Sequence, residues 1–331
     1  MTQGARSLIA DLIDLQAVGM EVTELGDAGP PPPSPGGVVR VGIDRAGARP
    51  ARGLEAFDIL LSADPRAPRP WVGLAPEALD AALAELKAAA AAQPAAASVA
   101  AQVLRTSLKV SFEEALAAES IAYSMLLASA DFKSWREARP RRDRGDGAAP
   151  RVATTREDGR LVIQLTRPAA RNAVDARMRD ALVEVLETAL LDPDEAPVVL
   201  SGEGPDFSAG GDLDEFGSLP DPALAHLIRS LRSAALFAHR LGPRLTARLH
   251  GAGMGAGIEI PAAASRVIAT PDARFRLPEV SMGLIPGAGG TATLPRRIGR
   301  RRTCFLAISG RTIDAETALA WGLVDQIEAA R

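Results

Sequence analysis

Hydrophobic positions in the first half of the chain change from short runs to a helical spacing near Pro76. Residues 38–43 and 57–61 are short apolar runs of the kind that form strands. After Pro76, leucines recur at the i, i+4 and i+7 spacing of one helix face. Pro76 suits the first turn of a helix, and Pro94 would bend one. The pattern therefore predicts two short strands, followed by helices over 76–139.

The second half of the chain alternates between strand and helix patterns. Residues 160–166 alternate in polarity as a strand does, 175–191 have an amphipathic helical pattern, and 197–200 are typical of a buried strand. Strands that alternate with helices indicate a layered α/β fold. A charged stretch at 139–147 precedes this half, and its composition is typical of a solvated linker between domains.

These patterns divide the chain into four segments. The predicted fold class is α/β, with a layered β-sheet/α-helix core and an additional helical module. The segments are an N-terminal extension with short strands and a Pro-rich loop (1–75, with the loop at 26–37), a helical module (76–140), a linker (141–152) and the α/β core (153–331).

Composition and charge exclude several broad classes. The 331 residues are 47% apolar and 24% charged, which is ordinary for a globular protein. A formal net charge of −3 argues against a general nucleic-acid binder. No run approaches 18 apolar residues, so no membrane span is predicted. Asp11 and Asp14 interrupt the apolar start of the chain, which argues against a signal peptide and favours a cytoplasmic location.

Cysteine and histidine give no sign of a metal or a disulfide. The single cysteine, Cys304, excludes an internal disulfide and a multi-cysteine zinc site. Its neighbours predict the buried face of a helix rather than a nucleophile. The three histidines, His226, His239 and His250, lack the spacing of metal ligands, so we expect structural roles for them and no bound metal.

Three glycine-rich segments follow one another in the core, at 207–213, 251–259 and 286–291. A phosphate-binding P-loop is excluded because no lysine follows Lys133, and glycines at every second position of 251–257 do not match a dinucleotide fingerprint. Glycines let the backbone approach a ligand and direct N–H groups at it, and a helix start adds its dipole. This combination would stabilise an oxyanion. The alternative is that these glycines serve tight turns alone.

Two carboxylates lie close to the glycine-rich segments. Glu259 follows the second segment, Glu279 precedes the third, and both have apolar neighbours. Either alone is typical of a surface charge, but together they predict an acid/base pair whose pKa values are raised by burial and by their like charge. A glycosidase could also use two carboxylates. The 12 aromatic residues are too few near these motifs for the usual sugar-binding platforms, which argues against that class.

From about residue 153 to 328 the chain resembles the crotonase (enoyl-CoA hydratase/isomerase) superfamily. No single motif would suffice, but five motifs occur in the family's order. They are an opening strand-to-helix signature (167–173), a first oxyanion loop (207–213), a second oxyanion loop (255–259), the stretch after it (278–291) and the end of the core (318–324).

The resemblance implies roles for particular residues. The N–H groups of Gly211 and Ala256 would form an oxyanion hole for the carbonyl of a CoA thioester. Ala256 stands where many members have glycine, which is harmless if its φ is negative, because only its N–H is used. The positions that would line the adenine pocket of CoA are Ala170, Arg171, Gly211, Asp212 and Leu213.

Glu259 and Glu279 match the two glutamates of the hydratases in this family. The resemblance implies that they hold one water, with Glu259 assisting attack on the β-carbon and Glu279 handling the proton at the α-carbon. The predicted function is an enoyl-CoA hydratase of fatty acid metabolism that acts on an acyl-CoA as a homo-oligomer, a trimer or a dimer of trimers, without metal or redox cofactor. The alternatives are an enoyl-CoA isomerase, an acyl-CoA thioester hydrolase and a non-catalytic CoA-binding protein.

Two further predictions concern the arginines at 296–302 and the helical module. The arginines are expected on a solvated helix face, and contact with CoA phosphates is the alternative. Members of the family continue past the core into C-terminal helices, for which this sequence leaves no room. Residues 112–120 and 129–140 resemble those helices. We therefore expect residues 76–140 to pack over the core in their place, and the alternative is an unrelated Ala-rich extension.

Overall fold

A computed structural model describes residues 19–26, 37–49, 52–142 and 149–329. Residues 27–36 of the Pro-rich loop, 143–148 of the linker and the apolar start of the chain lie outside the described residues. Within the described parts, none of the helices combines the length and apolar character that crossing a bilayer requires.

The N-terminal extension contributes a small parallel sheet. Its neighbouring strands pair in chain order, and the strands expected at 38–43 and 57–61 lie within two residues of those positions. The strands are β1 (Met20–Glu24), β2 (Val39–Asp44), β3 (Ile59–Ser62) and β4 (Val72–Gly73).

Four helices follow where the sequence predicts a helical segment. Pro94 begins the second of them, as expected of a proline in a first turn. Two further breaks were not predicted, and both arise from serine N-caps. Ser111 caps through its hydroxyl and forms a capping box with Glu114, and Ser129 accepts a hydrogen bond from a backbone N–H in the next helix. The helices are α1 (Pro76–Ala92), α2 (Pro94–Thr106), α3 (Phe112–Leu127) and α4 (Ala130–Glu137).

The second half of the chain forms the predicted layered α/β core. Its strands are β5 (Val152–Glu157), β6 (Arg160–Leu165), β7 (Val198–Gly202), β8 (Leu245–Leu249), β9 (Ala252–Met254), β10 (Arg266–Ala269), β11 (Arg274–Arg276), β12 (Ile313–Asp314) and β13 (Gln326–Ile327). Six of them form a sheet with the order β13-β10-β8-β7-β6-β5, which is parallel except for the β5–β6 hairpin. The other three form a second sheet with the order β12-β11-β9.

Helices cover the core sheets, and two of them begin at the second and third glycine-rich segments. Cys304 is buried in one of these helices, as the sequence predicts. The helices are α5 (Ala176–Leu190), α6 (Pro222–Leu231), α7 (Ala234–Arg240), α8 (Ala256–Glu259), α9 (Gly290–Ile298), α10 (Arg300–Ser309) and α11 (Ala315–Trp321).

Four of the five arginines at 296–302 bind the N-terminal half, and Arg297 binds carbonyls and Asp325 within the core, so the prediction of a solvated face is wrong. Arg302 is only 4% exposed and donates to the carbonyls of Trp71 (2.8 Å) and Ala67 (3.1 Å). Arg300 pairs with the buried carboxylate of Asp58 at 3.4 Å. Guanidinium groups have five donors, and the loops between β3 and β4 offer carbonyls that would otherwise be buried without partners.

The helical segment packs directly on the core. Helix α3 lies against α6 and α9, while α9 and α10 also contact α1 and α2. The ring of Tyr123 lies against Gly287, and Phe132 lies against Gly217 and Gly283. These contacts place α3 beside the glycine-rich loops. The segment boundaries and the relocation of C-terminal helices stay predictions.

Candidate active site

A cleft of about 520 Å³ opens between α3, α6 and the glycine-rich loops. Gly211, Ala256, Glu259 and Glu279 all line it. The four residues expected to carry chemistry are therefore brought together, although Gly211 and Glu279 lie 68 positions apart in the chain. Clefts with apolar walls and a few convergent polar groups are the usual setting of small-molecule sites.

Backbone hydrogen bonds hold the two predicted oxyanion loops side by side. The Ser208 N–H donates to the Ala252 carbonyl at 2.9 Å, and the Met254 N–H donates to the Ser208 carbonyl at 3.0 Å. A Cβ at Gly257 would lie 2.5 Å from the Ser208 carbonyl oxygen. The close approach of the loops therefore requires glycine at 257.

The N–H groups of Gly211 and Ala256 donate to no other residue in the described parts of the chain. Ala256 is not among the residues with positive φ, so an alanine costs nothing at this helix start. Two unused backbone donors on adjacent loops of one cleft can bind the oxygen of a polarised carbonyl. Because α8 has four residues, its dipole adds little to this effect.

Glu259 is held on one side by the backbone of the third glycine-rich segment. Its Oε2 accepts hydrogen bonds from the N–H groups of Ala288 (2.8 Å) and Gly290 (2.9 Å). The side chain is 1% exposed. Burial raises the pKa of Glu259 to about 7, and the two N–H donors limit that rise because they favour the carboxylate.

Glu279 faces Glu259 from a single helical turn at Glu279–Met282 and has fewer hydrogen-bond donors around its carboxyl group. It is 6% exposed, and its Oε2 is buried without a hydrogen-bond partner among the described residues. Burial, followed by the charge of Glu259, raises the pKa of Glu279 well above its ordinary value. The two carboxyl groups thus differ in hydrogen bonding: Glu279 is held in the acid form, while Glu259 can lose its proton near neutral pH.

Gly255 separates the two carboxyl groups. A Cβ on Gly255 would lie 2.3 Å from Oε1 of Glu279 and 3.7 Å from Oε1 of Glu259, so these oxygens are at most 6.0 Å apart. Gly255 also has φ of 48° and ψ of −120°, a conformation that L-residues rarely adopt. The sequence places its smallest residue where the two carboxyl groups face a shared space.

Gly255→Ala is expected to lower the activity of the site at least about 10-fold, because the new methyl group would displace the Glu279 carboxyl group. The matched control is Gly159→Ala, since Gly159 also has a positive φ but a Cβ there meets nothing within 4 Å. Both variants carry backbone strain of about 1 kcal/mol or more at a positive φ, and the melting temperature of Gly255→Ala should fall further because of its additional clash. Equal activities in the two variants would contradict this prediction.

Glu279→Gln should gain stability relative to the native chain as the pH rises. The folded-state pKa of Glu279 is raised above the ordinary value of 4.5, so its contribution to stability is full below about 4.5 and is lost as the pH rises. Glutamine does not titrate and escapes this loss. The melting temperature of the variant, minus that of the native chain, should therefore be larger at pH 8 than at pH 5. A difference that is constant or falls with pH would contradict the assignment.

Comparison with known proteins assigns the chain to a family. The family model described as "Enoyl-CoA hydratase/isomerase" matches residues 155–331, which is more than half of the chain. The chain belongs to the enoyl-CoA hydratase/isomerase family, within the crotonase superfamily. The expected resemblance and fold class are confirmed, since solved structures of the same fold are enoyl-CoA hydratases.

Named relatives of this family cover about half of the chain. The 2,3-dehydroadipyl-CoA hydratase of Escherichia coli K12 is 36% identical over 176 residues, which are 53% of this chain and 68% of that protein. A probable enoyl-CoA hydratase of Bacillus subtilis 168 is 35% identical over 49% of this chain and 63% of its own length. The crystal structure of enoyl-CoA hydratase from Thermoplasma volcanium GSS1 matches with TM-score 0.51 and 34% identity, over 55% of this chain and 73% of that one. The chain thus spans about two thirds of the length of these relatives.

The positions that the family resemblance assigns to the adenine pocket are only partly in the cleft. Gly211 and Asp212 line it, but the carboxylate of Asp212 is engaged by the buried guanidinium of Arg167 at 2.7 Å. Ala170, Arg171 and Leu213 are not among the lining residues. Arg171 pairs with Asp206 at 2.5 Å, and its carbonyl accepts the Ala209 N–H, which ties it to the first oxyanion loop. CoA binding at these positions stays a prediction.

The histidines and the arginines at 296–302 lie outside the chemistry of the cleft. His239 stacks on Phe112, His226 contacts the Ser120 hydroxyl at 2.9 Å, and His250 contacts the Gly204 carbonyl at 2.9 Å. None of the five arginines lines the cleft. Across the described ranges, no group of three His, Cys, Asp or Glu side chains is arranged to hold a metal ion.

A third carboxylate in the cleft wall, Glu119, was missed by sequence reasoning. It is 2% exposed and comes from α3. Its Oε1 accepts the Gly289 N–H at 2.7 Å, and its Oε2 accepts both the N–H and the hydroxyl of Thr291 at 2.7 Å each. A signal existed, because Glu119 falls on the same helix face as Ala115 and Tyr123, both buried. A charged residue in an apolar stripe is unusual unless it has partners.

Tyr123 and Arg229 complete the wall beside Glu119. The Arg229 guanidinium lies 4.7 Å from the centre of the Tyr123 ring and donates to the hydroxyls of Ser120 and Ser124. Burial raises the pKa of Tyr123, and the charge of Arg229 opposes that rise. This part of the cleft is therefore formed by α3 and α6, from the two halves of the chain.

Proposed function

We propose that this chain is an enoyl-CoA hydratase, which adds water reversibly to a trans-2-enoyl-CoA. One observation carries the proposal: two buried carboxyl groups face one space within 6.0 Å, and Oε2 of Glu259 has two N–H donors while Oε2 of Glu279 has no partner among the described residues. Hydration needs a base for the water and an acid for the α-carbon. Family membership supports acyl-CoA chemistry of this type.

The thioester carbonyl would be bound by the N–H groups of Gly211 and Ala256. When a nucleophile adds to the β-carbon, negative charge moves through the α-carbon to this oxygen. Two backbone donors fixed by the pairing of their loops stabilise that charge without reorganising. The contact also orients the conjugated double bond across the space between Glu259 and Glu279.

The reacting water would lie between the Oε1 atoms of Glu259 and Glu279. A separation of at most 6.0 Å permits one water at about 2.8–3.0 Å from each oxygen. Glu259 takes a proton from the water, and the water oxygen forms a bond to the β-carbon. The Oε2 atom of Glu259 stays bound to the Ala288 and Gly290 N–H groups throughout, which fixes the direction of the base.

Glu279 would supply the second proton. The electron pair of the former double bond takes up this proton at the α-carbon, which gives the 3-hydroxyacyl-CoA. The orphaned Oε2 of Glu279 favours the acid form before the step, because a buried carboxylate without donors is unfavourable. Proton return from Glu259 to Glu279, through water, restores the starting state.

Incubation with crotonyl-CoA tests the proposal, since hydration removes the absorbance of the conjugated thioester. A decrease with crotonyl-CoA, or with longer or aromatic trans-2-enoyl-CoAs, is expected. The control variant Glu316→Gln removes an exposed carboxylate on α11 and should behave as the native chain. Loss of absorbance with none of these substrates would overturn the proposal. Rising absorbance from a 3-enoyl-CoA alone would assign isomerisation instead.

We also propose that the chain acts in the cytoplasm as a homo-oligomer, a trimer or a dimer of trimers, without metal or redox cofactor. Support comes from large apolar side chains that α3 and α6 expose on their outer faces, a typical sign of a contact surface. These are Ile121, Met125, Leu224, Leu227 and Leu231. Light scattering should give a mass of three or six chains, and activity should survive a chelator. A monomer, or loss of activity with chelator, would contradict these points.

A further inference from the structure

The first turn of α9 is held by two carboxylates that come from different halves of the chain. Four successive N–H groups, at 288–291, alternate between them. The first and third donate to Glu259, and the second and fourth donate to Glu119. All four distances lie between 2.7 and 2.9 Å, which is short for N–H donors and typical of charge-assisted hydrogen bonds.

Two neighbouring residues of α3, Glu119 and Tyr123, contact the loop before α9. Glu119 belongs to α3, and one turn further along that helix the ring of Tyr123 lies against Gly287. Both oxygens of Glu119 accept hydrogen bonds, which offsets much of the cost of burying a carboxylate. Helix α3 therefore holds the loop before α9 in place through two neighbouring contacts. That loop also supplies the donors that hold Glu259.

We propose that Glu119 is a positioning residue for hydration: it fixes residues 287–291 so that Glu259 keeps one oxygen on their N–H groups and presents the other to the substrate water. This inference rests on the proposed function. Glu119 acts through the loop and not on the substrate. The helical segment of the first half of the chain thus supplies a group without which the catalytic base is not aligned.

The charge of Glu119 is coupled to the catalytic pair. Burial, followed by the charge of Glu259, raises the pKa of Glu119 to about 8. The charge of Glu119 in turn contributes to the raised pKa of Glu279. Removing that charge should lower the pKa of Glu279, because a like charge disfavours ionisation. A group that merely filled space would have no such effect.

Glu119→Gln tests the proposal in the full-length protein. The amide has one acceptor oxygen and a donor NH₂ group, so it cannot serve both Gly289 and Thr291. We expect kcat/KM for crotonyl-CoA to fall about 10- to 100-fold. We also expect the limb of the pH–rate profile that Glu279 sets to move to lower pH by about one unit. Glu137→Gln, which changes an exposed glutamate of α4, is the matched control and should leave both quantities as in the native chain.

Glu119→Asp distinguishes the effect of the negative charge from the effect of side-chain length. It keeps the carboxylate but is shorter by one methylene, so kcat/KM should fall while the pH limbs stay within about 0.3 units of the native values. The proposal would be overturned if Glu119→Gln folds with a lowered melting temperature but keeps the kcat/KM and the pH–rate profile of the native chain. If Glu119→Gln does not fold, a folded Glu119→Asp with native kcat/KM would overturn it as well.

A titration without substrate distinguishes this inference from the proposed function. Carboxyl ¹³C resonances of glutamate report the pKa values of Glu259 and Glu279 directly, and Glu119→Gln should lower that of Glu279. A lowered value in a chain that hydrates no enoyl-CoA would support the coupling and overturn the hydratase assignment. An unchanged value in an active hydratase would overturn the role of Glu119 and leave the assignment intact.

Discussion

Glu279→Gln is expected to lower kcat/KM for crotonyl-CoA at least about 100-fold, the usual scale for a general acid or base. Glutamine has nearly the shape of the protonated side chain but cannot release a proton to the α-carbon. The Oε2 of Glu279 has no partner to lose among the described residues, so the substitution should disturb little else. Stopped-flow or steady-state loss of the conjugated thioester absorbance measures the effect.

The control for this variant is Glu316→Gln, in which an exposed carboxylate of α11 changes in the same way. It should keep kcat/KM within about twofold of the native value, since surface substitutions have small effects. Glu279→Gln with native kcat/KM would remove Glu279 from the acid role, whatever the family resemblance implies. A comparable loss in both variants would point to a general effect of charge instead.

Removing residues 1–150 is expected to leave a core that is insoluble or inactive. Helices α9 and α10 would lose the surfaces of α1, α2 and α3 on which they pack, and their apolar side chains would face water. The N–H groups of Gly289 and Thr291 would lose Glu119. Soluble yield, circular dichroism and hydration of crotonyl-CoA measure the outcome. This truncation also tests the predicted relocation of the family's closing helices to 76–140.

A cleaved full-length chain provides the control for the truncation. A protease site placed within 143–148 would break the linker but keep both halves. We expect the two pieces to elute together and to hydrate crotonyl-CoA, because the packing between them does not depend on the linker. A soluble, folded fragment 151–331 with the activity of the full chain would show that the helical segment is dispensable.

Sequence reasoning located the catalytic loops because their signals are local. Gly255 is required by its own positive φ, Gly257 lies two positions away, and Glu259 lies within four positions of both. The layered core was predictable for a similar reason, since strand and helix periodicities are read within single segments. The pairing of Glu259 with Glu279 was predicted from their apolar neighbours and the adjacent glycine-rich segments, and the family resemblance then supplied their separate roles.

The features that were missed depend on partners far away in the chain. Glu119 binds residues about 170 positions away, and Arg302 binds the Trp71 carbonyl 231 positions away. The apolar stripe around Glu119 hints at burial but does not name its partner, and nothing local distinguishes an arginine that binds carbonyls from one on a solvated face. Hence a third carboxylate was overlooked and the arginines at 296–302 were misplaced.

The hydrogen bonds of Glu119 also determine the stage of synthesis and folding at which the proposed active site can form. They close a loop of about 170 residues, and contacts of such sequence separation are entropically slow to form. The ribosome completes α3 long before it makes residue 289, so the carboxylate is already synthesised when its partners emerge. Secondary structure in either half can precede that encounter, whereas the alignment of Glu259 that we propose for Glu119 cannot. Under that proposal, the active site forms only after the two halves of the nascent chain have docked.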